Sequence, residues 1–210
     1  MVIEYFIKYW APIGSKFLFE SEEVDMAPST IRKYLNILEK KWLVYQPYNS
    51  AWRVPTVEWI NTYINSILPI ESGKKDLVKI SQNFNLRWFI EKIGEFVDGV
   101  AFGYFEDEAD IYYLWVAQIL RKVGNDIDKI IPLMDFIEKK EIISYLSKKK
   151  IEEGKINYSF VNYNWTNIAL MYIKVLFEER PAIIGIIGSL RVNYKENIAI
   201  LEKILNKWKI

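Results

Sequence analysis

Residues 29–44, STIRKYLNILEKKWLV, have a spacing that suits an α-helix. Ile31, Tyr34, Leu35, Leu38 and Trp42 recur at intervals of 3, 1, 3 and 4, which gathers them on one helical face, with Ile37 flanking the stripe. Ser29 follows Pro28 and stands where an N-cap belongs. Thr30, Arg32, Lys33, Asn36, Lys40 and Lys41 fall on the other side. The segment therefore predicts a helix with one face for a core and an opposite face that is positive.

The flanks give this helix a context. Glu20 to Met26 is a short acidic segment expected as a preceding helix, and Ala27-Pro28-Ser29 is a turn of the length that separates the helices of a helix-turn-helix. Downstream, WLVYQP and AWRVP are β-prone runs around the turn tripeptide Tyr48-Asn49-Ser50, so they read as a hairpin. Residues 29–55 resemble the winged-helix DNA-binding domain of prokaryotic and archaeal transcriptional regulators, whose pattern S-x-x-x-x-x-L-x-x-L-E-x-x-G-L-V ends the recognition helix and enters the wing. Ser29, Leu35, Leu38, Glu39, Leu43 and Val44 match it, while Trp42 replaces the glycine suited to a left-handed helix end.

The resemblance covers residues 1–58 and implies that the second helix of the motif enters the major groove of double-stranded DNA. Carried over by position, Ser29, Thr30, Arg32, Lys33 and Asn36 face base edges, with Arg32 able to make a bidentate contact to guanine. Lys40 and Lys41 are placed at phosphates. Asn49, Ser50 and Arg53 are wing candidates for the backbone or minor groove, flanked by Tyr48 and Trp52. The other reading of the cations is the solvated side of a surface helix, and winged helices also serve as protein-binding modules. Residues 1–58 hold seven acidic and seven basic side chains and the whole chain has a net charge of +1, so bulk charge supplies no nucleic-acid affinity. A local patch has to do it.

Residues 59–97 are expected as a helical connector. Trp59 or Ile60, Tyr63, Ile64 and Ile67 share one side of a helix that Pro69 stops, and ESGKKD is the most loop-like stretch of the chain. Leu86, Phe89, Ile90, Ile93 and Val97 form a second stripe. Either helix suits a core or a homodimer seam.

Residues 98–210 are expected as an α/β domain with a helical C-terminus, so the whole chain is placed in the α+β class. GVAFGYF and DIYYLWV are two β-prone runs around an acidic tetrad and predict an antiparallel hairpin. AQILRKVGN reads as a helix, DKIIPLM as a strand, Phe136 to Lys155 as a long charged helix, and INYSFVNYNW as a last strand. Trp165 to Leu176 again has helical spacing, and Gly185 and Gly188 suggest close helix packing in ERPAIIGIIGSL. Asn193 to Ile210 is expected as a final helix with Ile198, Leu201, Ile204, Leu205 and Trp208 on its apolar side.

This order, with Phe102-Gly103 and the acidic residues that follow, resembles the small nucleotidyltransferases of prokaryotes, whose pattern is a strand ending in F-G-S and then D-x-D. Glu108 and Asp110 stand at the D-x-D positions, Asp128 at the third carboxylate, and Tyr104 replaces the serine. In that family, carboxylates at i and i+2 on a strand hold two Mg²⁺ ions against a nucleoside triphosphate, and the glycine lets backbone approach the phosphates. The resemblance implies either a Mg²⁺-dependent enzyme using Gly103, Glu108, Asp110 and Asp128, or a degenerate domain that senses a ligand or partner. The other reading is a solvated hairpin turn.

Composition narrows the chemistry further. The chain has neither cysteine nor histidine, which removes disulfides, thiolate and imidazole metal sites, and His-assisted nucleophiles. No signal peptide is visible, and the best apolar run, Pro181 to Leu190, is too short to span a membrane. Thirty-two isoleucines and only three glutamines suit a heat-adapted organism. The abundant tryptophans and tyrosines are assigned to packing. The resulting expectation is a cytoplasmic regulator that binds double-stranded DNA as a homodimer, without a cofactor and without a membrane partner; Mg²⁺ enters only under the enzyme reading.

Overall fold

The protein is described here from a computed structural model, which places residues 2–9, 13–20, 26–47, 52–68, 77–80, 85–108, 110–113 and 130–206. They form an α+β structure in two compact units, Met1–Ile67 and Leu68–Ile210.

In the first unit, helices α1 (Val2–Tyr9), α2 (Ser15–Glu20) and α3 (Pro28–Lys40) precede strands β1 (Val44–Tyr45) and β2 (Val54–Pro55), and α4 (Val57–Ile67) closes it. The order of three helices and then an antiparallel ribbon matches the element order expected from the sequence. Strands β1 and β2 pair in the register Val44↔Pro55 and Tyr45↔Val54, and Ile13 adds a single antiparallel bridge to Arg53. Tyr5, Phe6, Ile13, Leu18, Ile31 and Leu35 are buried together, with Leu38 and Val54 packed against them. The acidic segment expected as a helix lies mostly outside the described residues; the helix before α3 is Ser15–Glu20.

Both ends of α3 differ from expectation. Pro28 takes the first helical turn, where its fixed φ and missing N–H cost nothing, so the cap position falls on Ala27 and Ser29 lies inside the helix. No side chain caps the start. At the other end Trp42 N–H reaches the Glu39 carbonyl (3.0 Å) and Leu43 N–H the Leu38 carbonyl (3.0 Å), the bond pair of a Schellman motif. Trp42 holds the left-handed position at φ 58° that glycine usually fills. It therefore leaves the helical spacing and is exposed instead of joining the core stripe, and Tyr34, at the stripe's edge, is exposed as well.

The second unit is built on a mixed sheet: β3 (Val78–Ile80), β4 (Val100–Phe105), β5 (Tyr112–Tyr113), β6 (Asn157–Tyr163), β7 (Thr166–Phe177) and β8 (Arg180–Ser189). The order is β3-β7-β8-β4-β5, and β6 lies on the same edge of β7 as β3. The β4–β5 hairpin expected from sequence is present, with Phe102 opposite Tyr113. Helix α5 (Leu86–Gly94) buries four residues of its predicted stripe and packs on β4; the fifth, Val97, is buried past the helix end.

Four segments overturn the sequence expectation. Trp165 to Leu176 and the segment containing Gly185 and Gly188 are not helices but the strands β7 and β8, paired from Ile168↔Ser189 to Phe177↔Arg180. Both faces of this hairpin are covered, so its apolar run is continuous and carries no period-2 signal. The turns at the two ends of β7 also lack glycine: Asn164-Trp165 between β6 and β7 and Glu178-Glu179 between β7 and β8 all have positive φ, as a type I′ turn requires. Gly185 serves the sheet by its size, since a Cβ there would stand 2.7 Å from the Phe102 ring.

The expected strand DKIIPLM is helical from Ile131 onward: α6 (Ile131–Glu138) starts with Pro132 in its first turn. The expected long helix over 136–155 is broken at Lys140, φ 58°, where α7 (Glu141–Ser147) begins. These two helices bury Leu133, Phe136, Ile137, Ile142 and Leu146 with Val100, Phe102, Tyr104, Leu170 and Tyr172 of the sheet. Helix α8 (Tyr194–Leu205) packs on β7, capped by the Asn193 side chain. The expected helix at AQILRKVGN and Trp208 lie outside the described residues.

A buried polar staple ties α8 to the start of β4. Asn197 accepts from Asp98 N–H through Oδ1 (2.8 Å) and donates through Nδ2 to the Asp98 carbonyl (2.8 Å), and Asn193 N–H donates to the Asp98 carboxylate (2.7 Å). With every partner supplied, burial of these groups carries little penalty.

Candidate nucleic-acid interface

Helix α3 turns Ile31 and Leu35 inward and leaves Ser29, Arg32, Lys33, Asn36 and Lys40 exposed, with Thr30 half-buried and Lys41 exposed just past the helix end. Ser29, Arg32, Lys33, Asn36, Ile37 and Lys40 line one shallow open groove. Five of these six were read from the sequence. Ile37 was assigned beside the core stripe, yet it is 39% exposed and adds an apolar contact to the groove floor. Tyr34, 53% exposed on the same helix, was likewise missed as a surface group. Their signal was available: the helix buries a narrow stripe, so residues at its margins stay outside.

Among the described residues no carboxylate pairs with Arg32, Lys33, Lys40 or Lys41. Cations held this way are free to meet an anion, which is what a phosphate backbone offers. Arg53 behaves differently. Its Nε and Nη2 both reach Glu39 Oε2 at 3.0 Å, and Nη2 also donates to Asn36 Oδ1. The side chain is only 14% exposed and ties the ribbon to α3. Trp52 stacks on Phe17, with ring centroids 5.7 Å apart, and covers Gly14, so one face of the indole belongs to the fold. Asn49, Ser50 and Tyr48 lie outside the described residues.

The acidic residues of the second unit are arranged for ion pairing. Glu108 and Asp110 stand in the connection between β4 and β5, not at i and i+2 of a strand. Arg180 Nη2 donates to Asp107 Oδ1 and Glu108 Oε1, both at 2.7 Å, and its guanidinium lies 4.0 Å from the Phe105 ring centroid. Hydrogen bonding from Arg180 holds the Asp107 carboxyl below its ordinary value. Asp110 pairs with Lys140 at 2.9 Å, and Lys174 bridges Glu106 and Glu153. Gly103 sits inside β4, where a Cβ would meet Ile90 at 2.6 Å; the residue makes room for α5. Among the described residues, no group of three or more acidic side chains is placed to hold a metal ion. Asp128 lies outside them.

No protein-family model matches the chain. Over 183 residues it is 33% identical to the heat-inducible transcription repressor HrcA of Anabaena sp. (strain L31), an alignment covering 85% of this chain and 45% of that protein. The repressors of the same name from Trichormus variabilis (35% over 66 residues) and Xylella fastidiosa strain M23 (33% over 78 residues) match 31% and 37% of this chain. The chain thus spans less than half the length of these curated relatives. All three are bacterial, which gives no support to an archaeal regulator or to the heat-adapted host suggested by composition. A crystal structure of a hypothetical protein shares the fold over 98% of this chain and 92% of its own, with a TM-score of 0.60 and 13% identity. No helix among the described residues is long and apolar enough to cross a membrane.

Proposed function

We propose that this chain is a sequence-specific double-stranded DNA-binding transcription regulator, acting in the cytoplasm as a homodimer with α3 as its reading helix. The carrying observation is the outward face of α3: cations without an acidic partner among the described residues line a groove on a helix whose opposite face is core. The repressors it resembles support the same direction. Arg32, Lys33 and Asn36 then meet base edges from the groove, and Lys40 and Lys41 meet phosphate, which fixes orientation without reading sequence. The second unit supplies a sensing or dimerising role.

The test is duplex binding by fluorescence anisotropy at two salt concentrations, wild type beside Arg32→Ala/Lys33→Ala. The expected wild-type affinity falls with salt by a logarithmic slope of about −0.9 for each phosphate neutralised. The double variant loses most of the binding while keeping its thermal midpoint. Equal and negligible binding by both proteins at low salt would overturn the reading and leave a protein-binding module.

A further inference from the structure

Asn36 is exposed in the groove, yet its side chain is not free to rotate at will. Its Oδ1 accepts from Arg53 Nη2, and Arg53 is itself fixed by two bonds to Glu39 and by backbone bonds in both directions with Ile13 (2.7 and 3.0 Å). A guanidinium has donors only. The amide orientation therefore follows from chemistry: oxygen faces Arg53, and the Nδ2 hydrogens are the groups left to face outward. Glu39 neutralises Arg53, so the clamp adds no net charge beneath the helix.

We infer that Asn36 is a specificity-determining residue and Arg53 its positioning residue, which together make this position read a guanine instead of an adenine. This inference rests on the DNA-binding reading of α3. A bidentate asparagine contact to adenine needs Oδ1 to accept from N6 and Nδ2 to donate to N7. In this protein Oδ1 is turned towards Arg53, and the NH₂ left facing outward meets the adenine N6 amine donor to donor. Guanine presents two acceptors, O6 and N7, at the same edge, so the outward amide NH₂ meets acceptors only. The wing thus contributes to recognition without touching the bases, through a bond made inside the protein.

The test is competition anisotropy with duplexes varied one base pair at a time. Asn36→Ala identifies the position concerned, as the one whose discrimination it abolishes. At that position the wild type is expected to prefer guanine over adenine by about tenfold, the scale of one good base contact. Arg53→Met frees the amide, and the preference moves towards adenine while neighbouring positions keep theirs. A measurement on the wild type alone guards against a misfolded variant: inosine, which keeps O6 and N7, binds like guanine. A wild-type preference for adenine, an inosine duplex bound like adenine, or an unchanged preference in a folded Arg53→Met overturns the inference and leaves the DNA reading standing. Absence of any sequence-dependent binding instead removes the DNA reading itself.

Discussion

Trp42 and Trp165 share a backbone conformation that costs a residue with a side chain about 1–2 kcal/mol, and neither recovers it by burial. Trp42 has φ 58° and is 76% exposed; Trp165 has φ 63° and is 97% exposed. Replacing either by glycine is expected to raise stability by about 1 kcal/mol, read as a higher urea midpoint at constant slope. The Asp98–Asn197 staple predicts the opposite sign. Asn197→Ala strands a buried N–H and a buried carbonyl together and is expected to cost about 2–3 kcal/mol by the same measurement. Tyrosines set the alkaline limit. Burial raises the phenol pKa of Tyr104, Tyr172 and Tyr194 above the ordinary 10.0. Their contribution is complete below pH 10, the unfolded value, and is lost as pH rises above it, because the unfolded chain releases those protons first. Urea midpoints are expected to hold steady up to about pH 9 and fall beyond, less steeply in Tyr194→Phe.

At the scale of elements, legibility followed the contrast between two faces. Helices α3, α4 and α5 each have one buried and one wet side, so their helical spacing could be read directly, although Tyr34 and Trp42 of the α3 stripe lie outside, and the ribbon β1–β2 was marked by its turn residues. The central hairpin β7–β8 was not legible because both its faces are buried and the turns at the two ends of β7 use Asn-Trp and Glu-Glu. The α6–α7 pair failed for a related reason: Lys140 breaks the helix with a residue that gives no sign of a left-handed turn. In the groove, residue types announced the cations, but no pattern in the chain could disclose that Arg53 is spent on Glu39 and Asn36. The β3–β7 pairing, three residues long and joining Val78 to Val175, is also invisible to local patterns. Its contacts are few and distant in sequence, so amides of Val78–Ile80 are expected to exchange at least about tenfold faster than those of β7 and β8 in native-state hydrogen exchange.

On the scale of the whole molecule, chemistry is divided between units. The first holds the unpaired cations of α3, whereas Glu106, Asp107, Glu108 and Asp110 of the second are paired with Lys174, Arg180 and Lys140. That division leaves the sheet a consequence of its own at β6. This strand, NYSFVNY, pairs only with β7 among the described strands and carries no charged residue and no proline. Natural edge strands usually carry a lysine or proline that keeps a second chain from adding on. Without one, solubility becomes the property most exposed to change: light scattering is expected to show concentration-dependent clustering. Asn162→Lys, at an exposed position, should suppress that clustering while moving the urea midpoint by no more than about 0.5 kcal/mol in free energy. The shelf life of the purified protein would then depend on one uncharged margin of its sheet.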